Sequence, residues 1–150
     1  MKKLLFTCLA IAIIFTACKK EEEITAPIPT SAFSCKIDGV DFFDNNPVAT
    51  LSTDDIFELV ASNGSDEVII YIYNLSNKTE GEEISLVSPS NTTNRVYVNL
   101  GTASYTDTES GQLIFSNIGN PLSGTFNVIC KAANFQSVTV TEGKFVDVAY

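Results

Sequence analysis

Two patterns of apolar residues divide the chain. Residues 4–15 form an apolar run, LLFTCLAIAIIF, preceded by Lys2 and Lys3. As a helix it would span about 18 Å, short of the ~30 Å hydrocarbon core of a bilayer. Its length and basic flank are those of a secretory signal, which predicts a signal-peptide helix over residues 1–17. No later stretch approaches ~18 uninterrupted apolar residues.

From residue 32 onward the pattern changes to short runs rich in Val, Ile, Thr, Tyr and Phe, separated by Gly, Pro, Asn and Asp. That is the signature of strands and tight turns. Residues 33–38 open the domain, Asp38-Gly39 marks a hairpin turn, and residues 40–43 return. Residues 48–53 form a further strand. Residues 56–62 read as a strand, although Asp55 and Glu58 have the spacing of a helix capping box. Asn63-Gly64-Ser65-Asp66 turns the chain into residues 67–74, EVIIYIYN, which are apolar on both faces. This predicts a central strand with Ile69, Tyr71 and Tyr73 on one side and Val68, Ile70 and Ile72 on the other. Residues 84–87 make a short strand and 95–105 a long one. Residues 107–111 read as a turn into 112–118, and Asn120-Pro121 as a turn into 122–132. Residues 136–141, a turn at Glu142-Gly143, and residues 144–150 complete the chain.

The links have hairpin length and no helical periodicity intervenes. The fold class that follows is all-β: an antiparallel β-sandwich of roughly ten short strands, or alternatively a small lipocalin-like barrel. Residues 21–31, EEEITAPIPTS, show no periodicity and read as a tether. The expected organisation is a signal peptide over 1–17, an anchor and tether over 18–31, and a single β domain over 32–150.

Composition narrows the function classes. The formal net charge is −9 and the pI about 4.3, so the chain has no electrostatic footprint for nucleic acid. Cations, basic proteins or neutral ligands such as glycans suit it better. The chain has no His and no Trp. Without His, the commonest general base and metal ligand is missing, and so is every triad built on imidazole. No cofactor, metal site or catalytic residue is expected, and the chain reads as non-enzymatic.

Cys18 stands where the signal ends, in Phe15-Thr16-Ala17-Cys18. Bulky Phe15 fits poorly at position −3 of an ordinary signal-peptidase site. The segment resembles instead a bacterial lipobox, with Phe where Leu is usual. The resemblance implies that the Cys18 thiol accepts a diacylglyceryl group and that lipid, not protein, contacts the membrane. Two or three acyl chains anchor stably where one does not. The following Lys19-Lys20-Glu21-Glu22-Glu23 resembles the export tag of surface lipoproteins of the Bacteroidetes type. That likeness implies an outer-membrane protein facing the cell exterior, held through lipid on Cys18 and meeting a ligand or an outer-membrane partner.

Cys35 and Cys130 remain in the β domain. Cys35 shares a strand face with Phe33 and Ile37, and Cys130 with Phe126 and Val128, so both thiols are expected to point inward. An oxidising envelope permits a disulfide between them. Two buried thiols acting as small hydrophobes are the alternative.

Candidate chemistry elsewhere is thin. Tyr71 and Tyr73, which share a strand face, and Tyr97 are the candidate ligand-binding residues, since aromatic faces stack on sugar rings; Tyr in a strand also serves as a core or edge residue. Asp54-Asp55 and the segment 106–110 cluster oxygens without the regular spacing of a calcium loop. Glu80, Glu82 and Glu83 offer paired carboxylates of the kind glycoside hydrolysis uses, but on one loop and not across a cleft. A small carboxylate-based or metal-dependent hydrolase is therefore an alternative function, and a lipocalin-like carrier of a small apolar ligand another.

The C-terminal half contains Leu122-Ser123-Gly124-Thr125-Phe126 and Thr141-Glu142-Gly143-Lys144-Phe145, and the domain opens with Cys35-Lys36-Ile37-Asp38-Gly39. These segments resemble the SGTF and T-x-G-x-F ending, and the opening hairpin, of small Bacteroidetes-type lipoproteins whose domain has no assigned function. The resemblance implies the fold class and the location. It implies no catalytic residues.

Overall fold

The computed structural model describes residues 32–87 and 93–150. The signal peptide, Cys18 and the tether lie outside those residues. Eleven strands are described, and they form two antiparallel sheets. One sheet has six strands: in lateral order β2 (Val40–Asp44), β1 (Ala32–Ile37), β11 (Ser137–Val148), β10 (Leu122–Lys131), β9 (Asp107–Asn117) and β6 (Glu83–Ser85). The other has five: β3 (Val48–Leu51), β4 (Ile56–Asn63), β5 (Asp66–Tyr73), β7 (Arg95–Leu100) and β8 (Ala103–Tyr105). A short 3₁₀ turn, Leu75–Asn77, follows β5.

The two sheets pack face to face as a β-sandwich. The lipocalin-like alternative does not hold, because each sheet ends in two free edges and neither closes on itself. The space a barrel would leave open is filled: Phe33, Phe115 and Phe145 of the six-stranded sheet, with Phe57, Leu59 and Ile70 of the other, are all fully buried.

Strict alternation explains which residues fill it. In β5 the inward set is Val68, Ile70 and Ile72, and β4 contributes Phe57, Leu59 and Ala61. A strand places successive side chains on opposite faces, so this inward choice fixes Ile69, Tyr71 and Tyr73 on the outside. Residues 56–62 form a strand as expected, paired along its length with β5.

Several boundaries differ from the sequence reading, among them β3, which ends at Leu51, and β6, which covers Glu83–Ser85. Residues 95–105 are not one strand but the hairpin β7–β8, turned at Gly101, whose φ is 57°. Residues 107–111 are not a turn but the start of β9. The register of β9 on β10 shifts between Ser110 and Thr108, leaving Glu109 as the extra residue. Such a bulge re-aims neighbouring side chains, and here Thr108 becomes buried.

Residues 137–148 run as one strand, and Glu142-Gly143 is not a turn but an irregularity within β11, with Glu142 at φ 53°. Finally, β11 stops at Val148.

The two G-x-F segments acquire a physical meaning in this register. Gly124 lies opposite Phe145, and Phe126 opposite Gly143. Each phenylalanine lies over the glycine of the other strand. A Cβ on Gly143 would sit 2.5 Å from the Phe126 ring, and one on Gly124 would sit 2.6 Å from the Phe145 ring. Both rings join the core, Phe126 against Phe33 at 5.5 Å between centroids and Phe145 against Phe115 at 6.0 Å.

Thr108 closes a gap where the chain leaves one sheet for the other. Strand β8 pairs with β7 only over Val98–Leu100, so it does not reach Val96. The Thr108 hydroxyl takes its place. It accepts a hydrogen bond from the Val96 N–H at 2.9 Å and donates one to the Val96 carbonyl at 2.7 Å. One side chain thus supplies both ladder bonds that a missing strand residue would have made.

Cys35 and Cys130 both point inward, but the disulfide is not formed and both thiols are free and buried. Cys35 is on β1 and Cys130 on β10, with β11 between them. Two strand spacings are ~10 Å, whereas a bridge requires Cα atoms about 4.4–6.8 Å apart. The Cys130 thiol instead donates to the Val96 carbonyl at 3.3 Å. Burial pushes both thiols up to about 12.

Candidate functional site

The outward faces of β4, β5 and β7 bring the three candidate tyrosines together. Tyr71 lies opposite Arg95, and Ile69 opposite Tyr97. Arg95 and Tyr97 are two apart on β7 and therefore share the face that Tyr71 and Tyr73 share on β5. The Arg95 guanidinium carbon lies 4.9 Å from the ring centre of Tyr71, 5.4 Å from that of Tyr73 and 5.3 Å from that of Tyr97. All three distances are within cation–π range. Arg95 is the sole arginine of the chain, and three of the five tyrosines surround it.

The arrangement is a cage and not a flat stacking platform. The Tyr71 and Tyr97 rings meet edge to face, 5.5 Å apart and inclined at 65°. Their faces turn toward the guanidinium. The Arg95 Nε and Nη1 atoms are buried and have no hydrogen-bond partner. Ring faces in place of acceptors are tolerable for guanidinium, which is more weakly hydrated than ammonium and stacks on aromatic planes.

Glu58 completes the cluster from β4, where it lies opposite Tyr71. The Tyr71 hydroxyl donates to Glu58 Oε1 at 2.9 Å. Partial burial, then the hydrogen bond and the charge of Glu58, push the Tyr71 phenol up to about 12. Tyr71 therefore stays protonated, with its O–H directed at the Glu58 carboxylate. All five side chains are half-buried. Tyr73 is tied at its backbone, where its N–H donates to Asn94 Oδ1 at 2.8 Å, fixing the top of β5 to the segment before β7.

Chemically the cluster can stack and hydrogen-bond, and it holds one guanidinium and one carboxylate on the same sheet face. Tyr and Arg are the residue types enriched at binding hot spots. Its one hydroxyl–carboxylate pair is Tyr71 and Glu58, at 2.9 Å.

Several carboxylates of the other polar constellations have structural partners. Glu82 accepts from the Thr79 N–H and hydroxyl, and Glu80 from the Ile118 N–H, so these carboxylates brace a loop. Asp55 accepts from the Ser76 N–H and hydroxyl and holds the 3₁₀ turn. Within 106–110, Glu109 pairs with Lys131. Among the described residues, no three of His, Cys, Asp and Glu are grouped so as to hold a metal ion.

Arg95 was not among the candidate site residues of the sequence, and Glu58 entered only through the capping-box spacing with Asp55. A local signal existed for Arg95, which precedes Tyr97 by two positions. None existed for its pairing with Tyr71, which depends on the register of two strands joined by a long connection.

The fold and this surface define an all-β sandwich with a tyrosine–arginine cluster on the outward face of its five-stranded sheet. Comparison of the chain with family models, curated proteins and solved structures found no match in any of the three.

Proposed function

We propose that this chain is a non-enzymatic lipoprotein of the outer membrane, displayed toward the cell exterior, that binds a ligand or partner through the Tyr71–Tyr73–Tyr97–Arg95 face. The observation that carries the binding reading is the convergence of three tyrosines on the only arginine of an acidic chain, on the outside of a sheet. The anchoring reading rests on the lipobox-like Phe15-Thr16-Ala17-Cys18 and the Lys-Glu run after it. The resemblance of the G-x-F segments to small Bacteroidetes-type lipoproteins agrees with the anchoring reading.

Two experiments test the two halves. Protease shaving of intact cells, comparing the native protein with Cys18→Ala, tests display. Shaving of the native protein and loss of membrane association in the variant are expected; protection of the native protein sinks surface display. Binding is read by tyrosine fluorescence, which no Trp obscures in this chain. Titration with neutral and uronic-acid polysaccharides and with outer-membrane extract is expected to change the emission of the native protein but not of Arg95→Ala. An equal response from both proteins would remove the face from the binding reading.

A further inference from the structure

A cavity of about 400 Å³ opens between the two sheets at the end where β1 finishes. That volume is within the ~300–1,000 Å³ range of ligand sites. Its floor is apolar: Ile37 and Phe42 from the six-stranded sheet and Leu100 from the other. Val40 stands two residues before buried Phe42 and so faces the same inter-sheet space, yet it is 70% exposed. An inward-facing aliphatic side chain left this open marks a place where the sandwich runs out of cover.

The rim is acidic. Asp38, Asp41 and Asp66 line the cavity, and no Lys or Arg does. Asp38 uses Oδ1 to accept the Thr139 N–H, and Asp66 uses Oδ1 for the Gly101 N–H and the Ser65 hydroxyl. Each keeps a second oxygen. Asp41 appears in none of the side-chain hydrogen bonds among the described residues. The cation whose charge Asp41 feels is Lys36, and Lys36 is bound to Glu142 at 2.8 Å. Asp41 alternates with Val40 and Phe42 and so shares the outer face with Lys36, its cross-strand partner, whereas Asp38 and Asp66 stand at the apolar floor and form no ion pair among the described residues.

We propose that this cavity receives a basic side chain, arginine or lysine, presented by a partner protein. The aliphatic stem of such a residue lies along apolar surface while its head stays polar. Stem and head correspond to the floor and the rim. Ala32, the first described residue, is at the other end of β1, ~17 Å away, so the cavity faces away from where the chain enters the domain. This site is separate from the tyrosine–arginine face, and its fate does not depend on that reading.

The test uses the full-length protein in detergent micelles and a short Ser-Gly peptide carrying arginines, with its glutamine counterpart as control. Amide chemical shifts are expected to move at Val40, Asn63 and Leu100 with the arginine peptide alone, and less as salt is raised. Asp66→Asn, which keeps an Oδ1 acceptor for the Gly101 N–H, should weaken binding about two- to fivefold, as expected for a half-exposed ion pair. Val40→Lys places an ammonium group in the cavity and should abolish binding. Equal shifts with the glutamine peptide, no shifts with the arginine peptide, or undiminished binding by both variants would each overturn the proposal. Spermidine binding as tightly as the peptide would assign the cavity to small polyamines and overturn the claim of a protein partner.

Discussion

Replacing Thr108 with Val exchanges a hydroxyl for a methyl at nearly constant volume, and so isolates two hydrogen bonds. Thr108 is buried, and its Oγ1 lies 2.9 Å from the Val96 nitrogen and 2.7 Å from the Val96 oxygen. In Thr108→Val the Val96 N–H has no acceptor and no water to turn to. A buried group left in that state costs about 1–3 kcal/mol. The Val96 carbonyl fares better, because the Cys130 thiol still donates to it at 3.3 Å. A thiol is a weak donor, so that loss is smaller. Together the variant should lose about 2–4 kcal/mol, a large share of the ~5–15 kcal/mol of a typical domain. Thr108→Ser keeps the hydroxyl and gives up one methyl group, about 1 kcal/mol or less. Urea denaturation followed by circular dichroism should therefore rank native, Ser variant, Val variant in falling midpoint. Amide exchange at Val96 should accelerate in the Val variant only. A Val variant at least as stable as the Ser variant would falsify the claim that the hydroxyl replaces a missing strand residue.

Further expectations concern packing, strain and titration. Gly143→Ala should cost about 1–3 kcal/mol, the scale of overpacking, because its Cβ would meet both the Phe126 ring and the Phe126 carbonyl at 2.5–2.6 Å; an unchanged urea midpoint would contradict the reciprocal Gly–Phe pairing. Phe135 sits at φ 67° with 87% of its surface exposed. Left-handed backbone costs an ordinary residue about 1–2 kcal/mol and is easier for Asn, so Phe135→Asn should raise the midpoint; a lower one would show that the ring has a contact in the folded protein. Cys35 and Cys130 rise from 9.0 to about 12 on burial. A raised thiol value means the folded state holds the proton longer than the unfolded one. The stability is present in full below about pH 9 and is lost as the pH climbs toward 12. Tyr71 adds to the same loss. The urea midpoint should fall from pH 9 upward, and maleimide should label Cys35 and Cys130 only after unfolding; labelling of the folded protein at pH 7 would contradict their burial.

What was legible in the sequence was what alternation alone determines. Period two put Tyr71 and Tyr73 on one face of β5 and Ile70 and Ile72 on the other, and it aimed both cysteines inward. What was not legible depended on register between distant strands. Cys35 and Cys130 share inwardness but lie on either side of β11, so a shared face said nothing about a bridge. Glu142-Gly143 has the composition of a turn, yet opposite Phe126 that glycine makes room for a ring and the strand continues. The cage around Arg95 joins residues 71 and 95 across two strands, and the acidic cavity joins residues near 38, 63 and 100 from three turns. No local pattern carries such pairings.

This division bears on where function should be sought. The two G-x-F segments are the strongest motif of the domain, and the register accounts for them by packing: each glycine makes space for the other strand's phenylalanine. A motif of that kind specifies a sandwich and leaves its chemistry open. The residues outside the core that gather into distinct surfaces are on the outside of the five-stranded sheet and at the open end between the sheets. The first sets Arg95 among aromatic rings with Glu58 beside them, and the second holds negative charge over an apolar floor. Two surfaces of different chemistry on one small acidic domain can engage different partners, or different parts of one partner. Arg95→Ala and Val40→Lys separate these cases: if each variant abolishes binding of the same partner, the two surfaces grip a single extended ligand, and if each loses a different one, the domain joins two.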